Sequence, residues 1–84
     1  MNFILYEDEE VFISSYEDII TKLMAKSRIN YKIHKIDHYD KNRTMPYLLN
    51  ITGSKVYIID VEVPGENGID LARKIRKSGD WVSQ

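Results

Sequence analysis

Two short apolar runs, Phe3-Ile4-Leu5-Tyr6 and Val56-Tyr57-Ile58-Ile59, each stop on an acid, Glu7-Asp8-Glu9 after the first and Asp60 after the second. Both are uninterrupted, and the second is built from β-branched and aromatic residues. That pattern predicts strands buried on both faces of a parallel sheet. Tyr31 to Ile36 mixes polar and apolar positions and predicts an edge strand. Between the strands the period changes. From Glu9 to about Lys26, Phe12, Tyr16, Ile19, Ile20 and Leu23 recur at three- and four-residue spacing and predict an amphipathic helix with that stripe buried. Glu9 and Glu10 open it and Lys22 and Lys26 close it, which matches the helix dipole.

The polar stretch Asp37 to Thr44 reads as a loop. A short helix follows, with Pro46 in its first turn and Tyr47, Leu48, Leu49 and Ile51 as its apolar surface; Gly53 stops it. After the second apolar strand, Pro64-Gly65-Glu66 predicts a turn and Asn67 a helix cap, with Asp70 three residues on. Ile69, Ala72 and Ile75, with Leu71, form the expected buried stripe of that last helix, and Ser78-Gly79 end it. The order β-α-β-α-β-α predicts an α/β fold with parallel strands joined by right-handed crossovers. The final residues, Trp81-Val82-Ser83-Gln84, follow a helix without completing an element, an ending that looks like an interruption.

With 84 residues the chain holds one small domain whose core is marginal unless something else supports it. Its 43% apolar and 30% charged residues are those of a globular protein, and a net charge of -1 gives no field that favours nucleic acid or an anionic membrane. The absence of cysteine excludes disulfides, thiolate metal sites and cysteine nucleophiles. The start has no basic segment, and its apolar run is too short for a signal peptide or a membrane span. A cytoplasmic protein is expected.

Ligands collect at the carboxyl ends of strands in open α/β sheets. Glu7, Asp8 and Asp60 all fall at such ends, so they predict a pocket for a divalent cation. Any one of these acids alone would be an ordinary strand-end or helix-start residue; the combination carries the reading. Glu9 and Glu10 read as helix-start acids only. His34, within the polar strand, and His38, in a loop, have no second ligand at metal spacing and are read as structural. Arg73, Lys74, Arg76 and Lys77 read as the solvated last turns of a helix. The six tyrosines are too scattered to form a stacking platform. Trp81 reads as a partly buried residue after the helix.

Taken together, the acids after the first strand, Asp60 at the end of the later apolar strand and the following V-E-V-P-G-E-N-G resemble the receiver domain of two-component response regulators. The closest resemblance is to the LytR/AgrA type, whose regulators carry a LytTR DNA-binding domain downstream. It implies a flavodoxin-like, doubly wound parallel sheet with strand order 2-1-3, of which residues 1–84 supply the N-terminal portion and lack the last two βα units. It also implies that Asp60 is the phosphoacceptor and that Glu7, Asp8, Asp60 and the backbone carbonyl of Glu62 hold Mg²⁺. A bridging Mg²⁺ neutralises both the attacking carboxylate and the incoming phosphoryl group. It prefers a few carboxylate oxygens plus water. Pro64 and Gly65 would shape the loop beside the acceptor, and Gly68 would let the next helix begin tightly.

The chain departs from the family at Asn67, where an acid is usual, and in having no counterpart of the Ser or Thr ending strand 4 or the Lys ending strand 5. Phosphoryl transfer is therefore expected to be slow and the switch largely disconnected. The resemblance implies a sensor histidine kinase as partner and a transcriptional output through an absent downstream domain, the only route to DNA. It implies a phosphoacceptor rather than a turnover enzyme. Loss of strands 4 and 5 would leave strand 55–59 as an apolar edge, which predicts self-association. Two other readings stand beside this one. A truncated receiver could serve only as an interaction or dimerisation module. Asp60-Val61-Glu62-Val63 also approaches the haloacid-dehalogenase phosphatase motif, with Glu62 where that motif has its second Asp.

Overall fold

The computed structural model describes residues 1–79; Trp81 and the segment 81–84 lie outside the described residues. Six elements alternate along the chain: β1 (Asn2–Tyr6), α1 (Glu10–Met24), β2 (Lys32–Ile36), α2 (Thr44–Asn50), β3 (Lys55–Ile59) and α3 (Gly68–Lys77). All pairing is parallel, in the order β2-β1-β3. The chain therefore folds as the expected small α/β unit. Among the described residues, no helix is long and apolar enough to cross a membrane.

β1 is the central strand, and its run Phe3-Ile4-Leu5-Tyr6 is buried on both faces. Its even positions, Ile4 and Tyr6, join Leu48 of α2, Val63 of the loop after β3, and Leu71 and Ile75 of α3 in the main core. Side chains alternate across a strand, so Phe3 and Leu5 face the opposite side. There α1 supplies its two buried residues, Ile13 and Ile20. Right-handed crossovers explain the division. The chain moves from β1 to β2 on one side, then crosses back past β1 to β3, so α1 and α2 fall on opposite faces.

Several sequence expectations change. The apolar run of β3 reads by itself as a strand buried on both faces, but it lies at the sheet edge, as the order 2-1-3 without strands 4 and 5 implies; there Val56 is exposed and its neighbours are half-buried. The α1 stripe is the second. Only Ile20 of the expected set is buried, while Phe12, Ile19 and Leu23 are exposed and Ile13 takes the inner position. A single strand's width of covered sheet admits only a narrow stripe, and α1 has more apolar surface than it can hide. In α3, similarly, Leu71 and Ile75 go inward, whereas Ile69 and Ala72 remain exposed. Of the α2 residues, Leu48 is buried, and Tyr47 and Leu49 are largely exposed. Element ends shift by a residue or two: α1 starts at Glu10 and ends at Met24, and β2 starts at Lys32.

This division of buried and exposed apolar positions has a measurable consequence. Ile4→Ala, which empties a site at the centre of the main core, should cost about 2–5 kcal/mol in urea denaturation. Ile19→Ala should change stability by no more than about 0.5 kcal/mol, although periodicity alone would rank the two alike.

Candidate functional site

The in-register pairing of β1 with β3 sets Tyr6 opposite Ile59. The residues that follow, Glu7 and Asp60, therefore leave the sheet side by side. Two backbone hydrogen bonds beyond the strands extend this alignment: Asp60 N–H donates to the Tyr6 carbonyl at 2.9 Å and Glu7 N–H to the Ile36 carbonyl at 3.0 Å. Glu7 is 4% exposed. Its Oε1 accepts from the backbone N–H of Asp8 (3.1 Å) and of Glu9 (3.2 Å), which holds the carboxylate over the start of α1. Carboxylate oxygens of Glu7, Asp8 and Asp60 lie within 4.8 Å of one another, with Glu7 buried, Asp60 half-buried and Asp8 exposed. Three acids expected at one sheet edge from the sequence thus do converge. The Glu62 side chain is exposed and is not part of this cluster.

The loop between Asp60 and α3 is tightly packed. Gly68 N–H donates to the Val61 carbonyl at 2.8 Å, and Tyr39 N–H donates to the Pro64 carbonyl at 3.0 Å. Gly68 sits so close to Asp60 that a Cβ there would lie 2.8 Å from its carbonyl carbon and closer still to its oxygen. At Gly65 the backbone has φ +98°, and a Cβ would lie 2.5 Å from the Tyr39 carbonyl oxygen. Both glycines are thus required by close approach. Asn67 caps α3, its Oδ1 accepting from Ile69 N–H at 2.8 Å.

A second set of contacts, absent from the sequence reading, ties this loop to the core. The buried Tyr6 hydroxyl donates to the Glu66 carbonyl at 2.6 Å. The Glu66 carboxylate pairs with Lys74 of α3, whose ammonium lies 4.7 Å from the centroid of the Tyr39 ring. Burial, with the Glu66 charge nearby, raises the Tyr6 pKa. The hydrogen bond to Glu66 raises that of Lys74. No spacing rule joins four residues from separate segments, so only the assembled fold could reveal them. Lys74 was expected simply on a solvated face.

The histidines are engaged in structural contacts. Asn2 Nδ2 donates to the Thr52 carbonyl, so its Oδ1 is turned to accept from His34 Nε2 at 3.0 Å; His34 Nδ1 then accepts from the Tyr47 hydroxyl at 2.8 Å. His38 Nδ1 lies 3.0 Å from Asp37. A cleft of about 410 Å³ lies beside the end of β2 and the start of α2, lined by Lys35, Ile36, His38, Asp40, Arg43 and Tyr47 among others; none of the three acids lines it. The acids at the strand ends are the stronger candidate, since three carboxylates converge there. Comparisons of the chain with known protein families, with curated proteins and with solved structures found no match.

Two outcomes follow from this packing. Gly68→Ala should cost about 1–3 kcal/mol, as for an overpacked site, and should shift the backbone resonances of Asp60, read by NMR. Tyr6 and Lys74 both keep their protons longer in the folded chain than in the unfolded one. Their contribution is intact below the ordinary values of about 10 and 10.4, and it is lost as pH rises through the higher folded values. Tyr6→Phe should therefore lower stability near neutral pH by about 1 kcal/mol. It should also make the decline above about pH 10 shallower, measured by urea denaturation across that range.

Proposed function

We propose that this chain is a phosphoacceptor receiver module of a two-component pathway, in which Asp60 takes a phosphoryl group from a sensor histidine kinase. The observation that supports the reading best is the convergence of the Glu7, Asp8 and Asp60 carboxylates at the carboxyl ends of adjacent parallel strands. The resemblance of the loop from Asp60 to Gly68 to receiver sequences supports it independently.

The donor set suits Mg²⁺. It is all carboxylate oxygen, open on the Asp8 side to water, and anchored by one buried acid. Two backbone N–H groups already occupy Glu7 Oε1, which leaves Oε2 for a cation. Asp8 and Asp60 complete the acidic set, and the Glu62 carbonyl is the backbone oxygen that the resemblance adds. When bound, Mg²⁺ supplies positive charge that offsets repulsion between the acids and an incoming phosphoryl group. A carboxylate oxygen of Asp60 then attacks phosphorus in line; the P–N bond of the phosphohistidine breaks, and the imidazole leaves with a proton from solvent. The chain's own part is positional. The strand register fixes the attacking carboxylate, and Gly68 and the Tyr6–Glu66 hydrogen bond hold the loop behind it. A cytoplasmic location, a transcriptional output and a downstream DNA-binding domain belong to the same reading.

The second reading, an interaction module that is never phosphorylated, is favoured by the exposed apolar edge of β3 and the exposed α1 stripe. One experiment separates the two. The folded chain is incubated with acetyl phosphate, with and without Mg²⁺, and intact mass is measured. Phosphoryl uptake that requires Mg²⁺ and disappears in Asp60→Asn supports the receiver. No uptake by a folded chain over hours, or uptake unchanged in Asp60→Asn, rejects it.

A further inference from the structure

The apolar residues that α1 leaves outside the core are not scattered. Phe12, Tyr16, Ile19 and Leu23 follow one another at spacings of four, three and four, the a/d pattern of a coiled-coil seam. Phe12 is 49% exposed, Ile19 58% and Leu23 70%, and Tyr16 is half-buried. A residue advances about 100° around a helix, so this row lies about 60–120° from the buried Ile13. It is on the flank opposite Glu17, which reaches Lys35 of β2 at 3.4 Å. The row therefore overlooks β3, the sheet edge whose Val56 is exposed on the same face.

The spacing has a further property: it reads the same in both directions. An antiparallel copy of the helix sets Phe12 against the partner's Leu23 and Tyr16 against the partner's Ile19, the mixed a–d layers of an antiparallel seam. The residues flanking the helix, Glu9 with extended backbone and Lys26 in the turn that follows, have the same pairing by position. Glu9, which precedes α1, falls against the partner's Lys26, and Lys26 falls against the partner's Glu9; both are exposed. The seam is thus apolar at its centre and oppositely charged at its two ends. Only a twofold, antiparallel arrangement makes one surface complementary to itself in this way.

We infer that α1 is the docking surface for a second copy of this chain, packed antiparallel through Phe12, Tyr16, Ile19 and Leu23 with reciprocal Glu9–Lys26 ion pairs. This goes beyond the phosphoacceptor reading and does not depend on it. A twofold axis through the seam also brings the two apolar β3 edges toward one another. Four side chains fall short of the roughly 800 Å² per partner of a stable interface, so the dimer is weak, with a dissociation constant on the order of 100 μM.

Sedimentation equilibrium from about 10 μM to about 1 mM, with circular dichroism to verify folding, tests the inference. Association is expected, and Ile19→Lys, at an exposed position, should weaken it by about tenfold or more. Lys26→Glu should weaken it several-fold at low salt, and Glu9→Lys/Lys26→Glu should restore it. A monomer at the highest concentration overturns the proposal. So does association that Ile19→Lys leaves intact, which would assign the contact to the β3 edge or to α3. A double charge reversal that fails to restore association overturns the antiparallel register.

Discussion

The pairing register of β1 against its two neighbours is the constraint on which the rest depends. Among the described residues, β1 is the only strand hydrogen-bonded on both sides. It sets Tyr6 level with Ile36 of β2 and Ile59 of β3. From that alignment Glu7 and Asp60 emerge as neighbours. A slip of one residue would turn Phe3 and Leu5 toward α2 and α3 and turn Ile4 and Tyr6 away from them, exchanging the two faces of the core. The core and the acidic cluster thus depend on the same pairing register. The energetic conflict at the strand ends has the same origin. Burial favours the apolar run, while its last residue leads into a carboxylate that is itself buried, Glu7, held by the backbone N–H groups of Asp8 and Glu9 just before α1.

Around the acids, the chain solves a packing problem by close backbone approach rather than by bulk. Gly68 lets α3 begin directly against the Asp60 carbonyl, and Gly65 lets the loop run along Tyr39. The Tyr6 hydroxyl reaches out of the core to the Glu66 carbonyl, and Lys74 bridges Glu66 and Tyr39. A loop of seven residues between Asp60 and Gly68 is thereby tied to β1, α3 and the β2–α2 connection. That rigidity suits a site whose acids must be held at fixed separation, and it places the stiffness on the side of the sheet opposite α1.

Much of this was legible in the sequence. The alternation of short apolar runs with period-3.6 segments specified the element order, and the acids after Tyr6 and Ile59 marked the candidate site. Asn67 and Gly68 marked the start of α3. What was not legible came from tertiary context. The residues of β3 by themselves look fully buried because they are strongly apolar; its edge position follows only from the strand order 2-1-3 that the family resemblance implies. Likewise Phe12, Ile19 and Leu23 share a helical stripe with Ile20, and only the width of sheet available decides that Ile13 and Ile20 are the residues covered. The Tyr6–Glu66–Lys74–Tyr39 set joins residues distant in sequence, for which no periodicity exists.

The proposed cation site requires that Glu7, Asp8 and Asp60, brought together by the strand register, act as one. A Mg²⁺ titration followed by the amide resonances of the chain tests it most directly, with Asp60→Asn for comparison. Saturable shifts confined to residues 7–9 and 60–68, weakened in Asp60→Asn, are the predicted result. A folded chain that shows no saturable shift, or shifts that Asp60→Asn leaves unchanged, would contradict it.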